Sequence, residues 1–142
     1  MKTRLGFVSN SSSSSFLIAI PKTSEDVDKD SIKKMFGIVP GSFIDGMVGE
    51  ELATALLRNE YDIERVLDNW GYDSIEALLE DYPDAGYNHH KCLIFNGLKN
   101  GEYRVFEISG NSEDGTALDG LIYYAEIDDT VLEDGTIIAS MH

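Results

Sequence analysis

The densest group of metal-binding side chain types in this sequence is a short cluster of His89, His90 and Cys92. Neutral imidazole and thiolate are ligands that zinc prefers in proteins. The run from Cys92 to Phe95 predicts a strand, and neighbouring strand residues point to opposite faces. Only His90 and Cys92 would then share a face, and no third or fourth ligand is evident. We therefore predict no metal and no cofactor, and interpret the cluster as a loop entering a strand with a buried cysteine.

Five consecutive serines stand directly before an apolar run, Phe16 to Ile20. Hydroxyls and successive backbone N–H groups can cradle an anion, but a phosphate loop uses glycines, a lysine and a following helix. A nucleophilic serine needs a neighbouring base, and no G-x-S-x-G turn surrounds this run. We predict no catalytic residue here. The run is either a plain solvated loop or a segment whose small side chains let another backbone approach closely. The second interpretation gives a packing or assembly role to Ser11, Ser12, Ser13, Ser14, Ser15 and Phe16.

The chain is strongly acidic, with 26 Asp and Glu residues against 11 Lys and Arg and a net charge of −15 at pH 7. No Lys or Arg follows Arg104. This charge disfavours direct nucleic-acid binding, because phosphate neutralisation needs basic side chains, and it disfavours anionic membranes. The acidic residues form either an ordinary solvated surface or a face that meets a basic protein. For that face we select Asp114, Asp119, Asp128, Asp129, Glu133 and Asp134.

Calcium binding and acid–base catalysis are the other chemistries open to carboxylates. The loop from Asn111 to Gly115 lacks the ligand spacing and the downstream glutamate of an EF-hand. Carboxylate pairs are so numerous in this chain that none identifies an acid–base pair. Solvated turn residues explain these segments better, and we predict that the protein is not an enzyme.

The cysteine count and the apolar runs bear on the compartment. Cys92 is the only cysteine, so an internal disulfide is excluded and a reducing cytosol is expected. The run from Phe16 to Ile20 is too short for a signal peptide. No stretch approaches the ~20 apolar residues of a membrane helix.

The order of the periodic segments predicts the fold class. Phe16 to Ile20 is continuously apolar and ends at Pro21, which is typical of a strand buried on both faces. Four apolar stripes at helical spacing follow, around Ile32, Leu52, Val66 and Leu78. We place the second helix at Phe43 to Arg58, the third before Gly71 and the fourth before Pro83.

Beyond Pro83 the period changes to that of strands, with no internal repeat. We predict strands at four segments, and a hairpin at Lys99 to Gly101 because Asn-Gly favours such turns. The strands are placed at Cys92 to Phe95, Tyr103 to Ile108, Leu121 to Ala125 and Thr136 to Ser140, with a loop at Gly110 to Gly120. The prediction is a single α+β domain, residues 1–142. Its mainly antiparallel sheet consists of the N-terminal strand and a C-terminal four-strand meander, with about four short helices between.

The stretch from Gly6 to Phe16, GFVSNSSSSSF, resembles an N-terminal signature of small hypothetical proteins of tailed bacteriophages and prophages. The resemblance covers a small part of the chain and carries no assigned activity. It implies a phage or prophage origin, a location in the host cytoplasm with the virion as the alternative, and a preference for protein binding over catalysis.

The function expected from these observations is a small acidic protein-binding module whose partner is a basic host or phage protein. In its sharpest form the module mimics nucleic acid and inhibits a host protein. The first alternative is a structural component of a virion or assembly, in which the serine segment contacts a neighbouring subunit. The second is a small metal- or ligand-binding enzyme that uses the serine run or the histidine–cysteine cluster. The oligomeric state is not predicted.

Overall fold

A computed structural model describes residues 13–22, 27–111, 116–123 and 127–141 of the chain. The helices, in chain order, are Lys29–Met35 (α1), Glu50–Leu57 (α2), Ile63–Trp70 (α3), Ile75–Asp81 (α4), His89–Asn100 (α5) and Ala117–Tyr123 (α6). The strands are Ser13–Pro21 (β1), Glu60–Tyr61 (β2), Tyr103–Asn111 (β3), Thr130–Val131 (β4) and Ile137–Ser140 (β5). A π-helical turn, Asp45–Gly49, leads directly into α2, and a 3-10 turn, Gly86–Asn88, leads into α5.

The five strands form one sheet in the order β2-β3-β1-β5-β4, and every neighbouring pair is antiparallel. β1 is the central strand, although it comes first in the chain. It pairs with β3 along its whole length, from Ser13 opposite Asn111 to Pro21 opposite Tyr103. On its other side Phe16 to Ala19 pair with β5.

Hydrophobic clusters cover both faces of this sheet. Leu17 and Ala19 of β1 face a cluster that includes buried side chains from α3, α4 and α5, among them Trp70. Phe16 and Ile18 face the opposite cluster, built with α1, α2 and α6. The sheet is therefore the middle of three layers. The predicted strand buried on both faces is confirmed, because all four of these residues are at most 1% exposed.

The predicted α+β class with a mainly antiparallel sheet is confirmed. The strands expected at Tyr103 to Ile108 and at Thr136 to Ser140 are present as β3 and β5. The C-terminal four-strand meander is wrong, because two of its segments are helices. β2 and β4, of two residues each, were not predicted. Strands this short carry no periodic signal, and they form because their backbones complete the two edges of the sheet.

The first incorrect strand is Cys92 to Phe95, which lies within α5. Its apolar residues continue at helical spacing, since Ile94, Phe95 and Leu98 are all buried against the sheet. The hairpin predicted at Lys99 to Gly101 is the end of the same helix. Gly101 has a φ of 73° and caps α5, so the positive φ required here ends a helix rather than closing a hairpin.

The second incorrect strand is Leu121 to Ala125, since its described part, Leu121 to Tyr123, belongs to α6. The Thr116 hydroxyl accepts the backbone N–H of Asp119 at 3.0 Å, as an N-cap side chain does, and donates to the Asp119 carboxylate. The loop predicted at Gly110 to Gly120 is also interrupted, because Gly110 lies in β3 and α6 begins at Ala117.

The helices before Pro83 follow the predicted pattern. α3 begins after Asp62, whose side chain accepts the backbone N–H of Arg65, and it ends at Gly71. α4 is capped by Ser74, whose hydroxyl accepts the N–H of Ala77. These local caps satisfy helix N–H groups that have no partner within the helix.

No helix in the described part of the chain has both the length and the apolar character needed to span a membrane.

The packing of α6 on the sheet predicts a specific effect of Gly110→Ala. A Cβ at this position would lie 2.6 Å from the Asp119 carbonyl oxygen and 2.7 Å from Ile122 Cβ. Because backbone must move, we expect a loss of about 1–3 kcal/mol in the free energy of unfolding. Gly120→Ala is the control, since its Cβ meets nothing within 4 Å, and it should be neutral or stabilising. Urea unfolding of both variants measures this, and equal stabilities would contradict the described contact.

Candidate functional site

The most exposed apolar side chains of the described residues lie close together in sequence, around the start of the helical segment that leads into α2. They are Val39, Phe43, Ile44 and Met47, here called the apolar surface, and their exposed fractions run from 51% to 83%. Only Val131, on the edge strand β4, is comparably exposed among the large apolar residues described. Contiguous exposed apolar groups are typical of interaction sites.

Local hydrogen bonds fix the backbone that carries this surface. The Ser42 hydroxyl accepts the N–H of Asp45 at 3.3 Å, and the Asp45 carboxylate accepts the N–H of Gly41 at 2.7 Å. This arrangement is a variant of a capping box. The π-helical turn follows at once, and such turns are frequent at functional sites. Phe43 and Met47, four residues apart, are therefore presented on a defined helical turn.

A network of ion pairs anchors the same turn to α1. The Lys33 ammonium lies 3.0 Å from Asp45 Oδ1 and 3.0 Å from Glu50 Oε2, with Asp30 at 3.8 Å. Lys29 contacts the Glu50 carboxylate at 3.3 Å. The Lys33 side chain is only 8% exposed, although it is a lysine. A buried cation of this kind is rare unless carboxylates surround it.

Three members of the network, Lys33, Asp45 and Glu50, are held in their charged forms. Hydrogen bonds to Asp45 and then to Glu50 raise the pKa of Lys33. The backbone N–H of Gly41 and then the Lys33 ammonium lower the pKa of Asp45. Lys33 and Lys29 lower the pKa of Glu50. These shifts favour the ion pairs that Lys33 makes with Asp45 and Glu50.

Gly49 provides the space in which this network forms. A Cβ there would overlap the Asp45 carboxylate, with its Cγ at 2.8 Å, and would lie 3.2 Å from Lys33 Cε. Because Asp45 is held from two directions, it has little freedom to move aside. The π-helical turn thus requires glycine at its last position.

An open groove of about 380 Å³ lies beside α2, close to the apolar surface in sequence. Leu118 of α6 contributes one side of its lining. The remaining lining residues all belong to α2 or the residue after it: Glu50, Glu51, Thr54, Ala55 and Arg58. Glu50 and Glu51 follow Met47 by about one helical turn. Carboxylates thus line the part of the groove that follows the apolar surface along the chain.

The acidic residues selected from the sequence fall into three places. Asp114 lies outside the described residues. Asp119 is in the first turn of α6, where its carboxylate hydrogen-bonds to Thr116. The other four flank β4, at one edge of the sheet, and are here called the acidic hairpin: Asp128, Asp129, Glu133 and Asp134.

Two residues of the acidic hairpin have structural roles. Asp129 accepts the backbone N–H of Ser140 at 2.7 Å, and Asp134 accepts the N–H of Thr136 at 2.9 Å. No ion pair to the hairpin occurs within the described segments. Asp128 and Glu133 are exposed and are the residues of this set best placed to meet a partner. Partner binding by the selected residues stays a prediction.

The serine run is partly included in the sheet. Ser11 and Ser12 lie outside the described residues, whereas Ser13 to Ser15 pair with Ser109 to Asn111 of β3. Ser15 is buried, and Phe16 contacts the Phe36 ring edge-on at 6.1 Å between centroids. Ser15 and Phe16 thus pack inside this chain. Contact of the segment with a neighbouring subunit stays a prediction.

The histidine–cysteine cluster lies at the start of α5. His89 Nδ1 hydrogen-bonds to the Asp84 carboxylate, and the His90 ring stacks edge-on against His89. Cys92 is buried, and burial raises the pKa of its thiol. Nowhere in the described ranges do three His, Cys, Asp or Glu side chains gather closely enough to hold a metal ion.

A buried carboxyl was not anticipated. Glu107 of β3 is 9% exposed, accepts the Tyr61 hydroxyl at 3.0 Å, and has no partner for Oε2 within the described part of the chain. Asn69 donates to the Tyr61 oxygen at 2.9 Å, and the Arg65 guanidinium lies 4.3 Å from the centre of the Tyr61 ring. Burial raises the pKa of Glu107 and raises that of Tyr61 to about 12.

The apolar surface was also missed, although the sequence contained a signal for it. The predicted second helix was assigned one apolar stripe, around Leu52, which is indeed buried. Phe43, Ile44 and Met47 are additional apolar residues that this stripe does not accommodate. Apolar side chains in excess of one face of a helix indicate a second contact.

Gly49→Ala tests the network beneath the apolar surface. We expect a loss of about 1–3 kcal/mol in the free energy of unfolding, because the added methyl group displaces the Asp45 carboxylate. Gly46→Ala, in the same π-helical turn, is the matched control because its Cβ would meet nothing within 4 Å. Thermal unfolding of both variants is the measurement, and an unaffected Gly49→Ala protein would refute the role of this glycine.

Glu107→Gln tests the buried carboxyl through pH. A raised pKa in the folded chain means that Glu107 favours folding most below the ordinary glutamate range, about pH 4. That contribution is lost as pH rises through the raised pKa. We therefore expect the free energy of unfolding of the wild type to fall, relative to that of Glu107→Gln, as pH rises. Urea unfolding at a series of pH values measures the shift, and parallel pH profiles for the two proteins would contradict it.

Comparisons with protein-family models, curated proteins and solved structures found no match to this chain. Its function is therefore argued from the geometry of its own surface.

Proposed function

We propose that this chain is a protein-binding module rather than an enzyme, and that its partner presents a basic surface with an apolar centre. The observation that carries the proposal is the apolar surface, where four large side chains are more than half exposed on one short segment. Phe43 alone is 83% exposed. Aromatic and methionine side chains are enriched at the centres of protein interfaces.

The rigidity of the segment supports binding rather than chance exposure. The capping box, the ion-pair network around Lys33 and the requirement at Gly49 all hold the turn in one conformation. Rigid presentation of a contact surface reduces the entropy lost on association. A stabilised turn that places apolar groups in water serves a contact made outside the chain.

The charge of the chain supports a basic partner. A net charge of −15 repels acidic proteins and nucleic acid, and it attracts basic surfaces from a distance. The exposed carboxylates of Asp128 and Glu133 contribute to this negative field. In the sharper form of the proposal the protein is of phage origin, and it occupies the nucleic-acid site of a host protein and inhibits it.

Substitution of the apolar surface tests the proposal. The double variant Phe43→Ser/Met47→Ser should keep its stability, because both side chains are largely exposed, and should bind its partner at least about tenfold more weakly. Val131→Ser is the matched control, since it removes a similarly exposed apolar side chain elsewhere. Affinity capture from bacterial lysate, quantified by mass spectrometry, compares the three proteins. Identical captured sets from wild type and double variant would refute the proposal.

Charge reversal tests the electrostatic component separately. Asp128→Lys/Glu133→Lys should slow association and reduce its salt dependence, while unfolding is unchanged, because neither side chain supports the fold in the way that Asp129 and Asp134 do. Association rates at low and high salt are the measurement. A rate that is insensitive to both the reversal and the salt would remove the acidic hairpin from the interface.

A further inference from the structure

The groove beside α2 extends the proposed interface beyond the apolar surface, along the axis of α2. The apolar surface and the groove together follow one continuous helical segment from Phe43 to Arg58. Along this segment the apolar side chains come first, and the groove, which begins with Glu50 and Glu51 and is closed on one side by Leu118 of α6, follows. An elongated partner element can contact the whole length.

The groove is formed by side chains of two helices, α2 and α6, and by no strand edge. Helix backbone groups are satisfied within the helix, so an extended peptide would find no main-chain pairing here. A groove between two helices accepts a third helix, because the rows of side chains interlock at interaxial distances of about 8–10 Å.

The charges of the groove indicate whether the bound helix is basic or acidic. Glu51 is exposed and makes no ion pair within the described segments, and the side chain of Glu50 is 68% exposed beside Lys29 and Lys33. A second copy of this chain would bring a further net charge of −15, so electrostatic repulsion disfavours it as the occupant. Arg58, which follows the last residue of α2, also lines the groove, so the lining changes from acidic to basic along the helix.

We propose that the apolar surface and the groove beside α2 together bind a basic amphipathic α-helix of the partner protein. This inference rests on the proposed function and specifies the partner element. The apolar stripe of the helix covers Phe43, Ile44 and Met47, and its Lys or Arg side chains contact Glu51, which has no ion pair within the described segments. Its end near Arg58 carries an acidic side chain or the helix carboxyl end, which the dipole makes partly negative.

A designed peptide of about 18 residues, roughly five helical turns, is the probe. Its Leu residues recur at helical spacing with Lys elsewhere. A peptide of the same composition with alternating Leu and Lys is the pattern control, and a Leu–Glu helix is the charge control. Fluorescence anisotropy measures affinity, circular dichroism measures helix gained on binding, and amide chemical shifts of the full chain locate the site.

We expect the Leu–Lys helix to bind at least about tenfold more tightly than either control peptide. Phe43→Ser/Met47→Ser and Glu51→Lys should each lose most of that affinity, while Val131→Ser should not. Shifts should concentrate on residues 39–58 and on α6. Equal binding of the alternating peptide, or shifts centred on the acidic hairpin, would overturn the helix inference.

The two proposals fail in distinguishable ways. If capture of a cellular partner depends on Phe43 but the Leu–Lys helix does not bind at residues 39–58, the helix inference is wrong and the proposed function stands. If neither depends on Phe43, both are wrong. Sedimentation that shows a dimer lost in Phe43→Ser/Met47→Ser would replace the partner helix by a second copy of this chain.

Discussion

The burial of β1 on both faces and along both edges is the constraint on which the rest of this structure depends. Phe16, Leu17 and Ile18 are each at most 1% exposed and alternate between two hydrophobic clusters. Each such side chain contributes about 1.5–3 kcal/mol relative to an exposed position. Because these contacts require helices on both sides, the layered arrangement and the position of α2 follow from this strand. The hydrophobic contacts of β1 also offset the self-repulsion of a chain with a net charge of −15.

The apolar surface lies directly before the residues of the same helical segment that are buried in the core. Val48, Leu52 and Leu56 hold the segment against β1 and β3 through the second cluster. The turn before them is held by polar contacts, in which the buried ammonium of Lys33 joins α1 to Asp45 and Glu50. Removing one partner of the Lys33–Asp45 pair would leave a buried charge without compensation, so both side chains support this turn. A core helix thus carries a rigid, water-exposed apolar end.

The sequence predicted the parts of the fold that have unambiguous periodicity. The central strand, β3 and β5 were identified from apolar runs, and the helices before Pro83 from apolar spacing and from the Gly and Pro residues that end helices. α5 and α6 were missed for a physical reason. Short apolar runs such as Cys92 to Phe95 fit a buried strand and a buried helix equally well, and Asn100-Gly101 is favoured both in hairpin turns and at helix ends. The choice between the two depended on tertiary packing against the sheet.

The candidate site was less accessible to sequence reasoning than the fold. Acidic residues dominate the composition and drew the prediction toward Asp128 to Asp134, of which Asp129 and Asp134 also support local backbone. Exposure of Phe43 could not be read from its type, because apolar residues on a predicted helix are normally assigned to the core. The burial of Lys33 and Glu107 depends on residues distant in sequence, so no local sequence pattern predicts it.

Photo-crosslinking inside cells that express the full chain tests the central claim most directly. A photoreactive amino acid placed at position 43 should give a discrete adduct with one basic protein, and the same amino acid at position 131 should not. Absence of any adduct from position 43, or the same adducts from both positions, would contradict the assignment of the apolar surface as the binding site.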